Sequence, residues 1–159
     1  MVNSAAAQER GIPNKLSFGL GVYGGVGMIS GTHYSSDRGC FGFDAKVEYR
    51  IMNQLGVNFN AGLMLFTEDR DYFSDSFGMV PITVGANWYF GKVFYVGGKS
   101  GLAIYTKGHA DPVFTIVPLV GVRLFKFLDL SAQFQFYANN KNRFEHSPQF
   151  IGVRVGVNF

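Results

Sequence analysis

Ile151-Gly152-Val153-Arg154-Val155-Gly156-Val157-Asn158-Phe159 is the stretch on which the reading of this chain turns. Ile151, Val153, Val155, Val157 and Phe159 fall on one face; Gly152, Arg154, Gly156 and Asn158 fall on the other. A period of two belongs to a β-strand, because successive side chains leave the backbone on opposite sides. A final strand of this kind, ending on an aromatic, is expected to close a barrel.

Working outward from it, the same alternation recurs over 15–29, 40–51, 55–67, 79–90, 93–105, 113–125 and 128–137. In 40–51 it is strict: Phe41, Phe43, Ala45, Val47, Tyr49 and Ile51 alternate with Gly42, Asp44, Lys46, Glu48 and Arg50. In 15–29 the second face is glycine, Gly19, Gly21, Gly25 and Gly27, interrupted by Tyr23. Each segment reaches the roughly 9–11 residues of a tilted membrane-crossing strand. Pro81 and Pro118 lack an amide donor and are expected near strand ends or bulges. The links 52–54, 91–92 and 126–127 are short, whereas 30–39, 68–78, 106–112 and 138–148 are long and polar. That rhythm places the termini and short turns on the periplasmic side of an outer membrane and the long links outside. Tyr49, Trp88, Phe90 and Phe94 are expected in an interfacial aromatic girdle.

Composition agrees. The 159 residues imply one barrel over 15–159, preceded by a flexible segment over 1–14. The chain holds 21 glycines and 16% aromatics, while charge is only 16% against a usual value of about 25%. Glycine and aromatics with so little charge read as all-β. The net charge of +3 is dispersed, which excludes a nucleic-acid footprint. Cys40 is the one cysteine and cannot form an internal disulfide. No apolar run reaches the roughly 18 residues of a transmembrane helix. Ser4-Ala5-Ala6-Ala7-Gln8 resembles the small-residue end of a signal peptide, so the chain is read as a mature form whose export signal has been removed.

Alternation does not say which face lines the barrel, since a soluble lipocalin turns its apolar face inward. Here the polar face carries charges of both signs: Asp44, Lys46, Glu48, Arg50, Lys99, Arg123, Asp129 and Arg154. These can pair across a narrow lumen, and the glycine face of the first strand leaves room for long side chains. The apolar face includes large aromatics on most strands, too bulky for the inside of a small barrel. The fold expected is therefore a closed, eight-stranded, antiparallel, up-and-down transmembrane barrel, with a soluble ligand-binding barrel as the alternative.

Three segments carry a resemblance: Pro81 to Phe90, Gly121-Val122-Arg123-Leu124-Phe125, and Gly152 to Phe159. They resemble the small OmpA/OmpX-type outer-membrane β-barrels of Gram-negative bacteria. The resemblance implies an outer-membrane location and a surround of outer-membrane lipid and lipopolysaccharide. It also implies that the barrel-assembly machinery reads the terminal strand at Val155, Val157 and Phe159. Other outer-membrane proteins are further candidate partners.

The lumen charges are read as a structural plug, with a polar pathway as the alternative, because an eight-stranded barrel is only wide enough for its own side chains. His33-Tyr34-Ser35 resembles a string in outer-membrane lipid A deacylases, with His33 as base and Ser35 as nucleophile. In that family it lies on a late strand, whereas here it follows the first. Glu68, Asp69, Asp71 and Asp75 crowd one link without calcium-loop spacing, and His33, His109 and His146 lack zinc-ligand spacing. No metal or cofactor is expected. The leading functional reading is a non-enzymatic interaction component acting through its loops or wall, and the alternative is an outer-leaflet lipid-modifying enzyme.

Overall fold

The computed structural model describes residues 16–29, 37–67, 77–91, 93–106, 111–124, 127–138 and 148–159. Eight strands form one sheet: β1 (Leu16–Ile29), β2 (Asp37–Arg50), β3 (Leu55–Phe66), β4 (Phe77–Phe90), β5 (Phe94–Tyr105), β6 (Val113–Leu124), β7 (Leu128–Ala138) and β8 (Pro148–Asn158). Neighbours in sequence pair antiparallel, and β8 pairs with β1 to close the barrel. Closure continues to the last residue. The Phe18 amide donates to the Phe159 carbonyl at 3.2 Å, and the Phe159 amide donates back to Phe18 at 2.7 Å.

The register fixes the barrel's dimensions. From Phe18 the ladder runs through Val47, Phe59, Val84, Ser100, Ile116, Phe136 and Gln149 and returns to β1 at Met28, a displacement of ten residues. Eight strands sheared by ten residues tilt by roughly 40° and give a backbone radius of about 8 Å. Side chains from opposite walls meet across such a lumen.

The strands reach beyond the apolar alternation at the long-link end. β2 starts at Asp37, β4 at Phe77 and β8 at Pro148. Backbone pairing continues there, as in Met28↔Asp37 and Ile29↔Pro148, because the ladder needs amides and carbonyls rather than apolar side chains.

Both prolines depart from expectation by lying within strands. Pro81 keeps register with Ala103 on β5, and the β3 ladder skips the pairs between Ala61↔Ile82 and Met64↔Met79. Pro118 keeps register with Gly98 on β5, and the β7 ladder skips from Ile116↔Phe136 to Leu119↔Gln133. The register is the same on both sides of each gap, so neither is a bulge. Each strand stays continuously paired on its other side, which holds the proline in line.

Among the described residues, 30 large apolar side chains are exposed on the outer wall and turns. They include Phe18, Phe43, Val84, Phe94, Val120 and Val153. A water-soluble protein does not cover its girth with such a surface; a barrel in hydrocarbon must. The apolar face is therefore outside, which removes the soluble ligand-binding alternative. Placing Arg at Val84, an outward position in mid-wall, is predicted to cost about 2–4 kcal/mol in lipid vesicles, read from urea unfolding. A loss below about 0.5 kcal/mol would contradict an outward, lipid-facing Val84.

Candidate functional site in the barrel lumen

Inward positions follow strand parity, so the lumen can be read as layers along the barrel axis. At the short-turn end lies a charged layer. Glu48, fully buried, accepts a hydrogen bond from the Tyr89 hydroxyl at 2.6 Å and from Asn87 at 3.2 Å. Arg123 reaches it at 3.2 Å, Arg50 at 3.6 Å and Lys46 at 3.7 Å. Asp129, also fully buried, is held by Lys46 at 2.9 Å and by the Tyr95 hydroxyl at 2.6 Å. Arg123 and the Asn158 amide at 3.4 Å and Arg154 at 3.5 Å add to its surround. Two carboxylates thus share the cations of β2, β6 and β8. The guanidinium of Arg50 lies 4.1 Å from the Tyr89 ring centroid, and that of Arg123 lies 5.1 Å from it.

A second pair sits towards the middle of the barrel. The Arg154 Nε donates to both oxygens of Asp44 at 2.9 Å. Its guanidinium lies over two glycines: a Cβ on Gly21 or on Gly156 would meet it at 2.5 Å. Gly21, on the inward glycine face of β1, therefore leaves the room that an arginine from the neighbouring strand fills. Above this pair, Thr83, Lys99, Gln133 and Gln135 line a cavity of about 30 Å³.

The long-link end is different in kind. Tyr23, Cys40, Met64, Phe66, Met79, Val113, Tyr137 and Phe150 form a buried apolar cluster. Tyr137 donates its hydroxyl to the Met64 sulfur at 3.0 Å, and Tyr23 packs edge-on against Phe150 at 6.1 Å. This cork was missed as a unit in the sequence, although its signal is there. Met64, Phe66, Met79, Val113 and Phe150 occupy inward parity next to the long links, where the face is otherwise called polar.

Of the eight charged residues expected in the lumen, seven meet in ion pairs, and Lys99 lines the cavity apart from them. Tyr89, Tyr95 and Asn87 were not anticipated as their partners. Tyr49, Trp88, Phe90 and Phe94 are exposed on the outer wall near the short-turn end, and Val155, Val157 and Phe159 are exposed along β8 and the terminus. His33 and Ser35 lie outside the described residues, as do His109, His146 and the acids Glu68, Asp69, Asp71 and Asp75.

Removing one partner from a buried ion pair leaves the other charge uncompensated and costs about 3–5 kcal/mol, whereas apolar replacement of both is close to neutral. Asp129→Leu, which takes from Lys46 its 2.9 Å partner and leaves it only Glu48 at 3.7 Å, is predicted to lose an amount at the lower end of that range in vesicle urea unfolding. The double variant Asp44→Leu/Arg154→Met is predicted to lose less than Asp44→Leu alone. Additive losses in the double variant would show that Asp44 and Arg154 are not coupled.

No protein-family model and no curated protein sequence matches this chain. Its structure is similar to that of Ail, the attachment invasion locus protein of Yersinia pestis, with a TM-score of 0.64 and 14% identity over 91% of this chain and 97% of that one. Neisserial surface protein A gives a TM-score of 0.60 and 17% identity over 89% of this chain and 97% of that one. Ail in complex with the heparin analogue sucrose octasulfate gives 0.59 and 12% identity, over 91% and 99%. At these identities the likeness concerns architecture. The chain has the fold of a small eight-stranded outer-membrane β-barrel.

Proposed function

We propose that the chain works as a non-enzymatic interaction component of the bacterial outer membrane, with the barrel as anchor and the long links as contact surface. The observation that carries this reading is the filled lumen. An apolar cork at one end and a charged layer at the other leave a central space of only about 30 Å³, too small for a solute path. Chemistry offered to the outside then falls to the links and rim. In this reading the long links face the cell exterior and the termini face the periplasm. Outer-membrane lipid and lipopolysaccharide surround the wall, with Tyr49, Trp88, Phe90 and Phe94 at the headgroup level. Val155, Val157 and Phe159 engage the assembly machinery during insertion.

The partner's chemistry is constrained by charge. Segments 30–39, 68–78, 106–112 and 138–148 hold seven acids (Asp37, Glu68, Asp69, Asp71, Asp75, Asp111, Glu145) against five bases (Arg38, Arg70, Lys107, Lys141, Arg143). Ail is a protein named for attachment and crystallised with a polysulfated sugar. The acidic balance here favours a cationic or neutral partner over a polyanion. Three measurements test the reading. Planar bilayers with the refolded protein are predicted to show no conductance steps. Replacing 68–76 by a Gly-Ser linker should keep the heat-dependent gel shift of a folded barrel yet release any partner copurified in mild detergent; full retention would move the contact to the wall. Lipid A mass spectra should be unchanged by expression, and a mass shift abolished by His33→Ala would establish the enzyme instead.

A further inference from the structure

The lumen's charges do not balance. Among the described residues, Lys46, Arg50, Lys99, Arg123 and Arg154 face only Asp44, Glu48 and Asp129. Arg50 stands at the short-turn end with its side chain 19% exposed, so water offsets part of its charge. Lys99 is half-buried. Among the described residues it makes no ion pair, and it lines the cavity midway between the cork and the charged layer. An ammonium in low-dielectric surroundings requires a counter-charge.

The cavity around Lys99 is rich in donors. Thr83, Gln133 and Gln135 are buried and line it, and their side chains make no hydrogen bond among the described residues. Asp44 also borders the cavity, but both of its oxygens are engaged by Arg154, so its charge is already met. A space of about 30 Å³ has room for one or two water-sized bodies. A monatomic anion fits it.

We propose that the centre of the barrel is a binding site for a single halide-class anion, held by the Lys99 ammonium and the side-chain amides of Gln133 and Gln135. The ion neutralises Lys99 and joins β5 to β7 across the lumen. The cork lies on one side of it and the charged layer on the other. Halide then contributes to stability by binding the folded state alone.

Two experiments on the refolded full chain decide this. Urea unfolding is compared at roughly 10 and roughly 300 mM chloride, with gluconate holding ionic strength constant so that screening does not change. Mass action then raises the folded-to-unfolded ratio by up to about thirtyfold in the wild type. Lys99→Met abolishes that dependence and Gln133→Leu, which keeps the charge, weakens it. Crystals grown in bromide show one anomalous peak within hydrogen-bond distance of Lys99 Nζ. The proposal fails if wild-type stability is indifferent to chloride, if Lys99→Met keeps the full dependence, or if bromide leaves no peak beside Lys99. Should Lys99→Met not fold, the wild-type bromide peak and Gln133→Leu still decide.

Discussion

A backbone in hydrocarbon has no water to satisfy its amides and carbonyls, so a sheet that enters a membrane must close on itself. In this chain closure is made by β8 against β1, ending in the reciprocal hydrogen bonds between Phe18 and Phe159. The other features follow from it. Eight strands sheared by ten residues leave a lumen of fixed, narrow width. Each inward side chain must then be accommodated by the wall opposite or beside it. Gly21 and Gly156 are the clearest consequence, since the Arg154 guanidinium occupies the space that any larger side chain would take.

A narrow lumen also decides how charge is handled. Single charges at this depth would be untenable, so carboxylates and cations are gathered into shared sets around Glu48 and Asp129. Tyrosine hydroxyls and asparagine amides fill the remaining acceptor positions. Glu48 and Asp129 are each met by several donors, and the free space beside Asp44 is only about 30 Å³. Above this charged set the environment changes to an apolar cork at the long-link end. The barrel is therefore a largely filled cylinder.

Much of this was legible in the sequence because strand parity is a strong constraint. The stretch 40–51 assigns Asp44, Lys46, Glu48 and Arg50 to one face without ambiguity, and the lumen contains all four. Parity says which side a residue faces but not its height along the axis or its angular position. Those depend on the accumulated register of eight strands. This is why Lys46 could not be matched to Asp129, 83 residues away, or Tyr89 to Glu48. It is also why the cork was missed: treating each inward face as uniformly polar averages over an environment that changes from charged to apolar along one strand. The prolines failed for a local reason, since a strand with two neighbours can lose pairing on one side and remain in place through the other.

The central claim is that the apolar face looks into lipid and the charged face into the lumen. Trp88, the chain's one tryptophan, sits on that outer face near the short-turn end. Its fluorescence in vesicles made with brominated lipids tests the claim most directly. The account predicts strong quenching, greater for bromines near the glycerol backbone than for those near the chain ends, with little quenching by aqueous iodide. Fluorescence indifferent to brominated lipid would place Trp88 inside the barrel and contradict the account.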